Sequence, residues 1–200
     1  MSNYGFRAGK AKVKKLTVAG KMPVEFVIAS TSVIATGALV SGWNTRTGTA
    51  AKTNANLLVQ IPYPMKVVVN ANVAGTAGGA NSIRIRGYKA NGEIVQEDVH
   101  VAATAAGKTY SNNAFAKIIS FKPYPALPVP KSTSVGIGYN PVTIGLPYQI
   151  ASSADLLGVS YLGVVATTLP SVSIPYQTLT LATTAGGKKV SVRYMSEMQK

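Results

Sequence analysis

One hairpin-forming stretch decides the fold class: residues 82–99 read SIRIRGYKANGEIVQEDV. Apolar and polar side chains alternate on both sides of Ala90-Asn91-Gly92, which is the period of a β-strand with one buried face. Asn and Gly are the residues that tight turns favour, because they adopt positive φ at little cost. The stretch therefore predicts two antiparallel strands joined by a turn at these three residues.

The register of this hairpin follows from the requirement that one face stay apolar. A two-residue turn would place Ile85 opposite Asp98 and mix polar with apolar side chains on one face. A three-residue loop with a left-handed glycine instead pairs Ile83 with Val99 and sets the two arginines opposite polar side chains. We predict the three-residue loop, which also places Glu97 on the apolar side near Ile85.

The rest of the chain has the same β-rich character, with many Val, Ile, Thr, Tyr and Gly residues and little helical periodicity. Short strands at this spacing fit a sandwich or a closed barrel. The approximate strand candidates are Val24–Ala29, Leu57–Pro62, Lys66–Val73, Ser82–Lys89, Glu93–Ala102, Lys117–Phe121, Ser134–Ile137, Val159–Val165, Thr178–Leu181 and Lys189–Tyr194. Single helical turns are predicted only at Asn112–Lys117, capped by Ser111 or Asn112, and at Ser153–Leu157, capped by Ser152 or Ser153.

The domain organisation predicted from these patterns is an arm followed by one domain. Residues 1–22 lack strand alternation and form an extended basic N-terminal arm, whereas 23–200 form a single β-domain. A Gly/Ala/Thr-rich tract at 45–56 predicts a surface loop, and four prolines within 122–131 predict an extended connection crossing between sheets.

The charge is concentrated in that arm. The chain carries 20 Lys and Arg against 6 Asp and Glu, a net charge of +14. Six of the cations fall in the acid-free arm: Arg7, Lys10, Lys12, Lys14, Lys15 and Lys21. Such a segment suits an acidic protein surface or a nucleic acid, and the alternative is a solvated tail.

The residues that carry chemistry are few. There is no cysteine, one histidine and six dispersed acids, so the sequence predicts no catalytic residues, no metal site and no cofactor. A hydrolase of the carbohydrate-active sandwich type, using Glu97, Asp98 and His100, is the weak enzymatic alternative. The apolar stretch at 23–40 contains Glu25 and several polar residues, and it predicts neither a membrane span nor a cleaved signal peptide.

Two stretches of the sequence resemble structural proteins of tailed bacteriophages, the capsid decoration or cement proteins. The first runs from Ile83 through Ala90-Asn91-Gly92 to a Glu-containing return strand and then N-A-F-A-K-I at 113–118. This chain has Lys89 where the pattern has Asp. The second combines V-G-I-G at 135–138, I-G-L-P-Y at 144–148, D-L-L at 155–157 and L-G-V-V at 162–165.

Together the two stretches span residues 82–165 in matching order. The resemblance implies a β-sandwich or jelly-roll virion protein, present in many copies and without enzymatic activity. It implies the major capsid protein as partner and a place in the capsid after assembly in the host cytoplasm. We also expect self-association, with a trimer favoured because symmetric closure at a three-fold junction is a common geometric solution. The alternatives that stay open are a nucleic-acid-binding module that uses the arm, and another head or tail component.

Overall fold

The computed structural model describes residues 20–29, 40–44, 52–53, 61, 63–72, 81–101, 107–124, 132–137, 143–181 and 188–197. This part of the chain consists of short strands and one 3₁₀ turn, Ser153–Asp155. The strands are β1 (Lys21–Ile28), β2 (Val40–Asn44), β3 (Lys52–Thr53), β4 (Met65–Asn72), β5 (Asn81–Tyr88), β6 (Ile94–Val101), β7 (Gly107–Phe115), β8 (Lys117–Tyr124), β9 (Ser132–Ile137), β10 (Thr143–Gly145), β11 (Leu156–Tyr161), β12 (Val164–Val165), β13 (Ser171–Ser173), β14 (Thr178–Thr180) and β15 (Val190–Glu197).

The strands form three antiparallel sheets. The first sheet has the order β1-β15-β11-β12, and the third has the order β3-β8-β5-β6. The second sheet has the order β13-β14-β10-β4-β9-β2, with β7 also paired to β4. The predicted all-β, antiparallel sandwich class is therefore confirmed.

Two apolar cores join these sheets, and β4 contributes to both. Met65 packs with Phe26 and Tyr194 in the core that the first sheet shares with the second. Val67 and Val69 pack in the core that the third sheet shares with the second. Because alternate residues of a strand point to the same face, one face of β4 supplies side chains to both cores.

The predicted hairpin register is confirmed. Ile83 pairs with Val99, and Arg84 pairs with Asp98. Gly92 has a φ of 86°, the left-handed conformation that the three-residue loop requires. Two main-chain hydrogen bonds close the turn: the Lys89 N–H donates to the Glu93 carbonyl over 2.8 Å, and the Gly92 N–H donates to the Lys89 carbonyl over 3.1 Å. The Lys89 side chain also donates to the Glu93 carboxylate over 3.1 Å.

The single helical turn predicted at Asn112–Lys117 is wrong, because these residues belong to β7, a one-residue break and β8. Opposite Val67, β7 carries extra residues that interrupt the ladder with β4. Ser111 occupies this bulge: its hydroxyl accepts from the Val67 N–H over 2.9 Å and donates to the Asn113 carbonyl over 2.7 Å. The polar residues that resemble a helix cap therefore satisfy a bulge instead.

The position of Glu97 is explained by the same bulge. Its carboxylate, on the edge strand β6, accepts from the main-chain N–H groups of Asn112 and Asn113 over 2.5 and 3.0 Å. It also accepts from the Asn113 side-chain amide over 2.8 Å. Glu97 therefore ties the third sheet to the second.

Several predicted boundaries need correction. Lys21 and Met22, assigned to the arm, belong to β1, because main-chain pairing with β15 begins at Lys21. Residues 52–53 of the predicted 45–56 loop form β3, which pairs with β8. The predicted 122–131 connection begins too early, since β8 runs to Tyr124 and pairs with β5 as far as that residue.

Other predictions have mixed outcomes. The predicted strand Val159–Val165 is a hairpin of two strands, β11 and β12. The sequence did not predict the short strands β2, β3, β10 and β13 or the bulged strand β7. The turn at Ser153 is confirmed as a 3₁₀ turn, with Ser152 as its cap. Residues 1–19, most of 57–62, the remainder of the 45–56 loop and 125–131 lie outside the described residues.

Candidate interaction surface

The most unusual local feature is the β11–β12 hairpin at the edge of the first sheet. Tyr161 pairs with Val164, so Leu162 and Gly163 form a two-residue turn with φ values of 55° and 87°. Two positive φ values define the type I′ geometry that hairpins prefer, but its first position favours Asn, Asp or Gly. The Leu162 N–H donates to the Lys189 carbonyl over 2.9 Å and fixes the turn against the chain leading into β15.

The hairpin exposes apolar side chains at its tip. Leu162 is 66% exposed, Val164 73% and Val165 57%. Leu162 and Val165 both line one groove, whereas Val164 is next to Val165 on β12 and points to the opposite face of the sheet. Single exposed apolar residues are common on proteins, but two that line the same groove form a small patch of the kind found at interfaces. We call Leu162 and Val165 the hairpin patch.

A groove lies beside the patch on the outward face of the first sheet. Its volume is about 490 Å³, and its lining includes Leu162, Val165, Ser160 and Ser191. Ser191 pairs with Ser160, and Ser160 pairs with Val165, so these side chains form a row across three strands. Because the serine side chains of this row are small, the bottom of the groove lies close to the main chain of the sheet.

The register places Arg193 on the next row. It pairs with Glu25 of β1 and with Gly158 of β11. A side-chain carbon built at Gly158 would lie 3.8 Å from an Arg193 terminal nitrogen, so the guanidinium lies over this glycine. The missing side chain at 158 gives the arginine room along the groove.

Among the described residues that line the groove, Lys189 and Arg193 are cations and Glu25 is a carboxylate. Glu25 accepts from the Ser191 hydroxyl over 2.9 Å. Lys189 and Arg193 are exposed and take part in no ion pair among the residues that the structure describes. The groove therefore has one positive charge in excess, with both cations available to an incoming group.

Of the six predicted arm cations, Lys21 is the one that lies within the described residues. Lys21 is not free: its ammonium lies 2.6 Å from an Asp155 carboxylate oxygen. The other Asp155 oxygen accepts from the Ser152 N–H over 3.1 Å, which closes the capping box of the 3₁₀ turn. Lys21 is therefore a structural contact between β1 and the chain before β11. The remaining predicted arm cations, Arg7, Lys10, Lys12, Lys14 and Lys15, lie outside the described residues.

The predicted turn residues Ala90, Asn91 and Gly92 lie in the third sheet, away from the first-sheet strands that line the groove. The Asn91 side-chain oxygen accepts from the Glu93 N–H over 3.0 Å, as in an Asx-type turn. These residues build the hairpin and join no cluster of reactive groups among the described residues.

The candidate catalytic residues of the enzymatic alternative all lie on β6. His100 is exposed and pairs with Ser82 of β5. The Arg84 guanidinium donates to both Asp98 oxygens, over 2.7 and 2.8 Å, and this hydrogen bonding holds the pKa of Asp98 below its ordinary value. Within the described part of the chain, no three His, Asp or Glu side chains cluster in a way that could hold a metal ion.

The groove was not predicted from the sequence. The one available signal was Gly163 between two apolar runs, since Gly is preferred at the second position of a type I′ hairpin turn. The partners across the groove come from distant parts of the chain: Glu25 and Ser191 are 166 residues apart.

A scan against protein-family models and searches of curated proteins and of solved structures find no match to this chain. Fold and surface together define the class: an all-β protein of antiparallel sheets with an apolar hairpin patch beside a basic groove. In the described residues, no helix is both long enough and apolar enough to span a membrane.

Proposed function

We propose that this chain is a non-enzymatic structural protein of a virion, which decorates and stabilises a tailed-phage capsid by bridging neighbouring major capsid subunits. The observation that carries the proposal is the hairpin patch, because a soluble chain exposes such apolar residues together mainly where a partner covers them. The resemblance over residues 82–165 supplies the phage context, and it includes the L-G-V-V of the hairpin itself.

The use of the acidic side chains supports a structural role. Three of the acids join separate parts of the fold. Glu97 binds the β7 bulge, Asp98 binds Arg84, and Asp155 binds Lys21. A carboxylate that is committed to such contacts is poorly placed to act as a general acid or base.

Decoration stabilises a shell by adding contact area between its subunits. An interface that buries roughly 800–1,600 Å² in total is modest, but it is repeated over the shell and its effect accumulates. The basic arm would add charge complementarity, and a trimer of this chain would match a three-fold junction of the shell.

The copy number in purified virions of the phage that encodes the chain tests this proposal. We expect hundreds of copies per particle by quantitative mass spectrometry, whereas a handful would indicate a vertex or tail component. Particles that lack the chain should rupture at a lower temperature, and adding the purified protein back should restore the rupture temperature. Absence from the particle would refute the proposal.

The nucleic-acid-binding alternative rests on the arm. In the globular part, Arg84 is already bound by Asp98, which weakens its use as a phosphate contact. A gel shift at moderate salt separates the two functions, because tight, length-dependent retention of DNA favours the alternative. The matched variant changes Lys10, Lys12, Lys14 and Lys15 to Gln and keeps Lys21, whose contact with Asp155 supports the fold.

A further inference from the structure

Leu162 is unfavourable for the isolated chain in two ways. It is a bulky residue at positive φ, a conformation that side chains branched beyond Cβ adopt at a cost, and two-thirds of its surface is in water. Asn or Gly at the same position would relieve both, so folding alone does not account for a leucine. Local conflicts of this kind are expected at functional positions.

The charges beside Leu162 indicate what it meets. Lys189 and Arg193 flank the groove without ion-pair partners among the described residues, and Glu25 is held by Ser191. Groups of opposite sign would be attracted to this rim, and their approach would be steered by the +14 charge of the chain.

The same charges argue against two other occupants. The chain's own arm is free of acids, so it would bring further cations to a groove that already has one in excess. A second copy of the chain carries the same net charge of +14, which disfavours it as the occupant of this cationic groove and says nothing against self-association through another surface. Strand addition at β12 is also disfavoured, because a two-residue strand offers little main chain to pair with.

We propose that the hairpin patch and the adjacent groove form a docking site for an acidic segment of a partner protein, in which Leu162 packs against an apolar side chain while Lys189 and Arg193 bind carboxylates. This inference rests on the proposed function only in taking the chain to be an interaction protein. It identifies the surface used and the chemistry of the partner segment.

A binding experiment on the full chain tests this independently of any virion. The probe is a synthetic peptide with two Glu residues flanking a Leu in a Gly/Ser background, added to ¹⁵N-labelled protein. We expect chemical-shift changes at Gly163, Val165, Lys189 and Arg193, and their loss at high salt, where exposed charges are screened. The control peptide has Lys in place of Glu. Equal shifts with both peptides, shifts elsewhere, or no shifts would overturn the inference.

Variants of the chain sharpen the test. Leu162→Asn should weaken peptide binding roughly tenfold to a hundredfold, as expected for loss of one buried leucine, while thermal stability stays equal or rises. The matched control is Ile94→Asn, which changes a 49% exposed apolar residue of the third sheet and should leave binding unchanged. Arg193→Gln should reduce the salt dependence of binding. A lower melting temperature for Leu162→Asn would show that Leu162 supports the fold and would overturn the inference.

The two proposals fail in different ways. If the chain is abundant in virions but the Leu162→Asn protein is incorporated normally, the docking site is refuted and the virion function stands. If the chain is absent from virions but discriminates between the two peptides at the groove, the virion function is refuted and the docking site stands.

Discussion

Replacing Glu97 by alanine removes the acceptor that ties the β7 bulge to β6. The Glu97 carboxylate receives three hydrogen bonds, from the Asn112 N–H and from the N–H and side-chain amide of Asn113. Asn112 is exposed, so water can replace the carboxylate there, but Asn113 is only 7% exposed and its two donors would be left without their acceptor.

The expected cost follows from those two donors. A buried donor left unsatisfied costs roughly 1–3 kcal/mol, and partial entry of water reduces the total, so Glu97→Ala should destabilise the fold by about 3 kcal/mol. Glu97→Gln keeps one acceptor oxygen and should cost roughly half as much. Glu93→Ala, on the same hairpin, removes an exposed pair with Lys89 and should cost less than about 0.5 kcal/mol.

Guanidinium-chloride unfolding of the full chain, followed by circular dichroism, measures these differences as shifts of the transition midpoint at constant slope. The reasoning is refuted if Glu97→Ala is no more destabilising than Glu93→Ala. If Glu97→Gln costs as much as Glu97→Ala, the negative charge, and not the acceptor geometry, is what Glu97 contributes.

Three further predictions concern the sheets. Gly87→Ala places a methyl group 2.4 Å from the Lys117 carbonyl oxygen, and unfolding curves should show a loss of about 3 kcal/mol or a failure to fold. Arg84 lowers the pKa of Asp98, so their ion pair stabilises the fold above the unfolded pKa of about 4, and this stabilisation is lost as the pH falls through the lower folded pKa. The pair is exposed and screened by solvent, so its contribution is less than about 1 kcal/mol. The Asp98→Asn protein should therefore lose less stability than the unmodified chain on acidification, by less than about 1 kcal/mol, in pH-dependent denaturation. Burial raises the pKa of Tyr194 far above its ordinary value, so the absorbance of its phenol should not change with pH before the protein unfolds in alkali. The Tyr194 hydroxyl both donates and accepts a main-chain hydrogen bond, so Tyr194→Phe should lower the free energy of unfolding by about 1 kcal/mol in the same assay.

The sequence predicted parts of the fold whose causes are local. The residues of 82–99 determine their own register, because a shift by one position would turn every apolar side chain outward. Ser152 caps the 3₁₀ turn as its spacing indicates. The same local reasoning failed at 111–113, where the polar residues of a helix cap and of a bulge are alike and only the neighbouring strand distinguishes them.

The candidate site was beyond such reasoning for a related reason. Gly163 between two apolar runs is typical of a turn. Leu162 is a candidate binding residue only because its side chain is exposed, and that exposure depends on β12 lying at the edge of a sheet. Lys21 looked like one more cation of the arm until Asp155, 134 residues away, was placed beside it.

By itself, then, the sequence determined that this is an all-β chain, which faces of its best-defined hairpin are apolar, and that its positive charge is concentrated near the N-terminus. Only the tertiary structure decided which strands are neighbours, that Glu97 joins two sheets, and that Glu25, Ser191 and Arg193 share a groove with Leu162. The physical reason is that alternation fixes the direction of each side chain relative to its own strand, whereas the groups that meet across a sheet are set by strand order and long-range packing.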